Sequence, residues 1–400
     1  MKKVFERIVE GTLFLSSTVT TITVLLIIIF LFREGAGLFG KSPTEEGFTV
    51  AVNKNNPVSE LNAEQIKNIF DANIDNWKQV GGKNDSILVF RMDDIFKFYT
   101  EQELAGVDTN MSLLASKIDE VIQKNPNIIA FISSKNLPAN PSSKIITIAK
   151  INLTDFFSGE EWFPTSQPVA EFGIYPLIMG TLWVSFLAIL IALPFGLAMA
   201  IYMAEIANPK VRNVLKPLIE LLSGIPSVVY GFFGLIVIVP LLQKTFDLPV
   251  GETGLAGSIV LAIMALPTII TVAEDSIRNT PVSVKEASLA LGASHWQTIW
   301  RIMIPYASSG ITAAVILGIG RAIGETMAVL MVTGNAAVIP HTILQPMRTI
   351  PATIAAELGE SAKGGMHYQA LFVLGCILFV ITLVVNLTVE MISKKKKSNR

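Results

Sequence analysis

The sequence predicts an all-α polytopic membrane protein of six transmembrane helices, with an α/β domain inserted outside the membrane after the first helix. Three observations predict it. Hydrophobic residues make up 51% of the chain and charged residues only 16%, which is a membrane composition. Six apolar segments, 12–32, 175–203, 215–242, 255–277, 307–333 and 369–391, each reach the roughly 20 residues needed to cross a hydrocarbon core about 30 Å thick. Between the first two lies a polar block long enough to bury its own core.

Lys2, Lys3 and Arg7 precede the first segment. Its apolar run exceeds a signal-peptide core and no small-residue cleavage site follows, so it reads as a retained anchor, residues 1–33. Basic residues close to span ends mark the cytoplasmic side. The basic amino terminus and the tail 394–400, with Lys394 to Lys397 and Arg400, place both termini inside, in agreement with an even number of spans. Lys210, Arg212 and Lys216 mark the second connection as cytoplasmic, and Arg278, Lys285 and Arg301 do the same for the fourth. The formal net charge of −1 implies neither nucleic acid nor an anionic surface as partner. The single cysteine, Cys376, excludes a disulfide framework and a cysteine metal cluster.

The insert, 34–171, falls outside on this topology. From Arg33 to Glu171, 13 Lys and Arg stand against 19 Asp and Glu, while the rest of the chain has 18 against 13. Short β-rich runs at 48–52, 87–90, 128–132 and 145–148, with helical periodicity at 62–70 and 111–123, make it α/β. Asn62 is placed to cap the first of these helices.

The membrane domain, 172–393, carries three groups of residues with chemical meaning. The connection at 280–305 contains Glu286, Ala287, Ser288 and Gly292, then Ile302 and Pro305. A short helix with small residues suits docking by a soluble partner; an ordinary interhelical loop is the plainer reading. Inside the fifth span, Arg321, Glu325 and Thr326 are costly in lipid, by about 2.5–3.5 kcal/mol per charge. Arg321 and Glu325 are four apart and are expected to pair on one helical face. Either that pair is structural, or Arg321 offers bidentate donors to an oxyanion and Glu325 offsets it between substrates. Gly318, Gly320 and Gly324 are expected to permit close helix approach there. In the third span, Glu220, Ser223, Pro226 and Ser227 mark a proline kink, read either as a gate or as packing. Glu205 reads as an interfacial residue.

These motifs carry a resemblance. The order Y-P-L-I-M-G-T-L, I-E-L-L-S-G-I-P-S-V-V-Y-G-F-F-G-L, E-A-S-L-A-L-G-A-S and G-R-A-I-G-E-T-M-A-V resembles the permease subunits of phosphate-specific ABC importers, nearer the C-type than the A-type. The resemblance implies a type I importer permease fold and a heterodimer with a second homologous permease. It also implies two copies of an ATPase that binds ATP and Mg, and a separate extracytoplasmic phosphate-binding protein. Glu286 to Gly292 would then form the ATPase-coupling loop. No G-x-x-x-x-G-K-[ST] occurs, so the chain is not expected to cradle ATP phosphates itself; it is expected to be a transport subunit with no bound cofactor, and not an enzyme. Within the insert, 61–82 resembles one lobe of the periplasmic phosphate-binding proteins. In those proteins a Ser-Gly-Thr helix start holds the anion. Here Arg91 is followed by Met92, Asp93 and Asp94, and the insert is expected not to bind phosphate. Another oxyanion, molybdate or sulfate, is the neighbouring alternative. A membrane receptor that senses a ligand through the insert is an alternative of another class. An intramembrane enzyme finds no support in His295, His341 and His367, which lack metal-ligand spacing.

Overall fold

The computed structural model describes residues 2–45, 47–104, 111–138, 141 and 143–398; Arg400 of the basic tail lies outside them. It divides into two units, Gly37–Gly173 and the combination of Met1–Ala36 with Ile174–Arg400.

The chain begins with α1 (Lys2–Ala36) and enters the α/β unit. There it forms β1 (Phe48–Val52), β2 (Glu60–Leu61), α2 (Ala63–Phe70), β3 (Leu88–Phe90), α3 (Met111–Lys124) and β4 (Ile128–Ser133). It continues through β5 (Lys144–Ile145), β6 (Thr147–Ile148), α4 (Leu153–Ser158), β7 (Trp162–Phe163) and β8 (Glu171–Phe172). A four-stranded sheet runs β3-β4-β1-β5. The pair β1/β4 is antiparallel with Val50 opposite Phe131, and β3/β4 is parallel. Side chains alternate across a strand, so the sheet is buried on both faces. Val50, Val52, Ile129 and Phe131 pack with Ile66 and Ile69 of α2, while Ala51, Ile128, Ala130 and Ile132 pack with Ile118 and Ile122 of α3. At the start of α2, Asn62 accepts from the Gln65 amide at 2.7 Å while Gln65 accepts from the Asn62 amide at 3.0 Å, a reciprocal capping box.

The expected strand 145–148 is two strands. Ile146 donates to the Val50 carbonyl at 2.9 Å and Thr147 to that of Ser59 at 2.9 Å, so the backbone changes partner at one residue. β5 therefore stays with β1, and β6 joins β2 in parallel.

The membrane unit resumes with α5 (Tyr175–Ile201), which ends in a π turn, Tyr202–Ile206. Then come α6 (Pro209–Gly224), α7 (Ser227–Phe233), a second π turn (Gly234–Ile238) and α8 (Val239–Phe246). They are followed by α9 (Gly254–Arg278), α10 (Val282–Ala290), α11 (His295–Thr298) and a third π turn, Ile299–Met303. The unit closes with α12 (Ile304–Tyr306), α13 (Ser308–Gly324), α14 (Met327–Val332), α15 (Ile350–Glu357) and α16 (Met366–Ser398). Among the described residues, five helices are long and apolar enough to cross a membrane: Val9–Ala36, Tyr175–Ile206, Ser227–Phe246, Gly254–Arg278 and Met366–Met391. The pair His295–Tyr306 and Ser308–Gly324, bent by 69°, is a sixth where the two are counted as one span.

Two expected spans are interrupted. The third does not run unbroken from 215, because Ile225 and Pro226 are extended, with ψ of 129° and 142°. Proline pushes the residue before it out of the helical region, so α6 stops and a new helix starts at Ser227. Pro226 thus separates two helices and does not kink one. The fifth span stops at Gly224's counterpart in α13, Gly324, because Glu325 is extended at φ −69°, ψ 133°.

The core of this unit is α5 against α9, with α13 lying on both. Gly196 lets α5 approach Ile269, and Gly318 of α13 meets the same Ile269 and Ile189. Gly320 and Gly324 have nothing within 4 Å of an added Cβ, so only Gly318 of the three expected glycines serves close packing. Thr181 of α5 accepts the buried Ile350 amide at 2.9 Å, tying down the start of α15. α1 leans on α16 through an edge-to-face contact of Phe30 with Phe372, centroids 5.5 Å apart, and leaves Leu25, Ile27 and Ile29 exposed. Such a face suits a lipid environment or a partner helix.

Candidate functional site

The two helix breaks come together. α7 packs on α14 so closely that a Cβ at Gly231 would lie 2.8 Å from Met331 Sδ and 3.0 Å from Ala328 Cα. Beside them, Arg321 occupies the last turn of α13, half-buried, where a cation complements the carboxyl end of the helix dipole. The Tyr230 hydroxyl of α7 lies at the first break. That hydroxyl donates to the Leu222 carbonyl at 2.8 Å and so spans the first break.

The expected pairing of Arg321 with Glu325 is not formed. Among the described residues no ion pair joins them, since the backbone leaves the helix after Gly324 and the i,i+4 geometry is lost. Glu325 turns instead to the start of α14, where its Oε1 accepts from the Ala328 amide at 3.4 Å. The Thr326 hydroxyl donates to the Gly324 carbonyl at 3.2 Å. The carboxylate caps one helix while the guanidinium stands at the end of the other. Of the residues at the first break, Glu220, Ser223 and Pro226 are exposed and Ser227 is half-buried.

The Glu286 connection lies at the other end of α13. From Ser308 to Arg321, 1.5 Å per residue gives roughly 20 Å. Glu286 and Ala287 are exposed on α10, while Ser288 is buried with its hydroxyl 3.0 Å from that of Thr298. Gly292 follows at φ +84°, a left-handed conformation that ends the helix and that glycine adopts without strain. Leu291 beside it is 89% exposed, and Leu289 and Val282 add to the same apolar, low-relief surface. Ile302 sits half-buried in the third π turn and Pro305 in α12, next to the 69° bend.

Sequence reasoning missed the ionic groups under this surface. Glu274 of α9, only 1% exposed, receives Arg212 of α6 at 2.8 Å, Lys216 at 3.5 Å and Arg278 at 3.8 Å. Glu205, read from sequence as interfacial, pairs with Lys285 of α10. Only the Glu274–Arg278 spacing of four was a local signal.

In the α/β unit a cavity of about 510 Å³ is lined by Asn62, Lys67, Asp155, Glu161 and Glu171 among others. Lys67 pairs with Glu161 and, at 3.1 Å, with Glu171. Burial pushes the Glu171 carboxyl up to about 7. After β3, Arg91 donates through its guanidinium to the Phe70 carbonyl at 3.2 Å and lies over the Phe70 ring. The Asp94 carboxylate accepts the Arg91 amide at 2.8 Å, and its pairing with Lys97 at 2.7 Å holds it below the usual carboxylate range.

Comparison with known proteins places these features. The family model of binding-protein-dependent transport system inner membrane components matches residues 192–398, which include both helix breaks, the coupling-type loop and Arg321. The chain belongs to that family. A relative in Bacillus subtilis, a probable ABC transporter permease protein, is 41% identical over 244 residues, covering 61% of this chain and 78% of that protein. The phosphate transport system permease protein PstC of Pasteurella multocida is 38% identical over 244 residues, 56% of this chain and 76% of that one. PstC 1 of Mycobacterium tuberculosis is 36% identical over 272 residues, 59% and 80% respectively. A PBP superfamily domain model matches residues 44–183 and accounts for the α/β unit. As an inner membrane component of a binding-protein-dependent system, the chain is a multi-pass transport subunit and not an enzyme.

Proposed function

We propose that this chain is the permease subunit of an ATP-driven importer that moves inorganic phosphate across the bacterial cytoplasmic membrane. The observation that carries the reading is Arg321, half-buried at the end of α13 beside two helix interruptions and without a carboxylate partner among the described residues. Phosphate permeases among its relatives support it. Arg321 offers planar, permanently charged donors to an oxyanion, and interrupted helices free backbone groups to line a polar path. Glu325 and Thr326 flank that path and limit how tightly the anion is held. Glu220, Ser223, Pro226 and Ser227 form the gate, because an exposed break is where α6 and α7 can swing relative to one another.

A second homologous permease completes the path, and one of the two copies of an ATPase docks on the loop of this chain that holds Glu286, Ala287, Ser288, Gly292, Ile302 and Pro305, with ATP and Mg on the ATPase. Both termini face the cytoplasm, and a separate extracytoplasmic phosphate-binding protein delivers the cargo. The insert, 34–171, is a binding-protein relative that holds no phosphate itself. In proteoliposomes containing the whole complex, Arg321→Gln is expected to lower phosphate uptake at least tenfold while the ATPase still co-purifies; unchanged uptake would overturn the assignment.

A further inference from the structure

We propose that the ion pair of Lys285 with Glu205 is the strut that carries motion of the coupling helix into the membrane, a role that rests on the transport reading above. Lys285 directly precedes Glu286 on α10, and its partner sits on the π turn that ends α5. The side chains are 23% and 8% exposed, so the contact is shielded from solvent and counter-ions, unlike a surface pair.

Two routes lead from α10 toward Arg321. The first is along the chain, through α11, the third π turn and α12 into α13. It contains a widened turn and a 69° bend at Ala307, both of which absorb displacement. The other polar tie of α10, Ser288 to Thr298, stays within this same loop. The second route crosses the Lys285–Glu205 pair and the π turn that carries Glu205 into α5, which runs to Tyr175 without a bend like that at Ala307 and forms the unit's most extensive helix packing with α9. Val184 and Ala188 of α5 share one buried cluster with Ala322, the residue after Arg321. A push on α10 therefore reaches the neighbourhood of Arg321 through close-packed side chains. Meanwhile Glu274 engages Arg212, Lys216 and Arg278, so the α6 cations are held by α9 and do not compete for Glu205.

The test uses the full complex with its ATPase in proteoliposomes, and two readouts. One is phosphate imported per ATP hydrolysed. The other, independent of cargo, is the nucleotide-dependent distance between spin labels at L190C on α5 and V380C on α16, with Cys376 replaced by alanine. The neutral double variant E205Q/K285M leaves no buried charge unpaired, so it is expected to assemble and hydrolyse ATP. Its transport per ATP is expected to fall at least tenfold and its nucleotide-dependent distance change to vanish. The charge swap E205K/K285E is expected to restore both to within about threefold of the wild type. A neutral variant that keeps the wild-type distance change, one that loses the co-purifying ATPase, or a swap no better than the neutral variant would each overturn the strut. A wild-type complex that moves its helices with nucleotide but imports no phosphate would instead overturn the cargo assignment and leave the strut supported.

Discussion

The Tyr230 hydroxyl reaches back eight residues to the Leu222 carbonyl, 2.8 Å away, and closes the gap that Pro226 opens between α6 and α7. The bond ties the last turn of one helix to the first turn of the next, so the break has a defined shape. Removing the hydroxyl leaves the Leu222 carbonyl with only the Ile225 amide, 3.3 Å away, at a cost of about 1 kcal/mol. Tyr230→Phe is expected to speed amide hydrogen exchange at 222–228 several-fold while leaving α9 unchanged; equal exchange in both proteins would show that the bond does not hold the break.

Glu274 is a single carboxylate facing three cations from two helices. Glu274→Gln strands Arg212, while Lys216 keeps Asp275 at 3.2 Å, and breaking a buried pair from one side costs about 3 kcal/mol or more. The purified protein in detergent is expected to melt roughly 5–10 °C lower. A Tm within a degree of the parent would contradict the buried-network account.

At Gly292 the backbone, and not the available space, sets the constraint: φ is +84° and nothing lies within 4 Å of an added Cβ. Asparagine tolerates the left-handed region and valine does not. Gly292→Asn is expected to keep ATPase co-purification near the wild-type level, and Gly292→Val to lose most of it. Equal loss in both would mean that side-chain bulk, and not conformation, matters there.

Glu171 makes the α/β unit sensitive to pH. Its carboxyl is raised from 4.5 to about 7, chiefly by burial. Between those values the folded protein binds more protons than the unfolded chain, so this group's contribution to stability is fully present below the lower value and is lost as pH rises through the upper one. Urea unfolding of the full-length protein, followed by fluorescence of the buried Trp162 that packs on Phe172, is expected to show a decline of about 1–2 kcal/mol from pH 5 to pH 8. Glu171→Gln is expected to flatten that decline.

Local features were legible in the sequence and long-range ones were not. The Asn62 cap with Gln65, and the glycine that ends α10, depend on a few consecutive residues, and those residues state them plainly. The strands at Val50 to Val52 and Ile128 to Ile132 were likewise visible as short β-rich runs, and every residue of both is buried because the sheet is covered on both faces. Hydropathy, however, sums side chains and is blind to backbone angles, so it read 215–242 and 307–333 as unbroken spans. The extended residues Ile225 and Glu325 are as compatible with an apolar run as helical ones. For Arg321 and Glu325 this turned an expected pair into two separate helix-end contacts. Lys285, the partner of Glu205, and Arg212, the nearest partner of Glu274, lie 80 and 62 residues away in the chain, and only packing of α5, α6, α9 and α10 brings them together.

In the α/β unit, the Asp94 carboxylate takes the backbone N–H of Arg91, while the Arg91 side chain is committed to Phe70. Both groups are thus engaged by neighbours within the unit. A permease that carried a second avid receptor would hold back cargo whenever the external supply ran low, since the two sites would share one scarce pool. If the insert holds no phosphate, as proposed, every ion delivered from outside has a single destination, and scarcity slows delivery without diverting it.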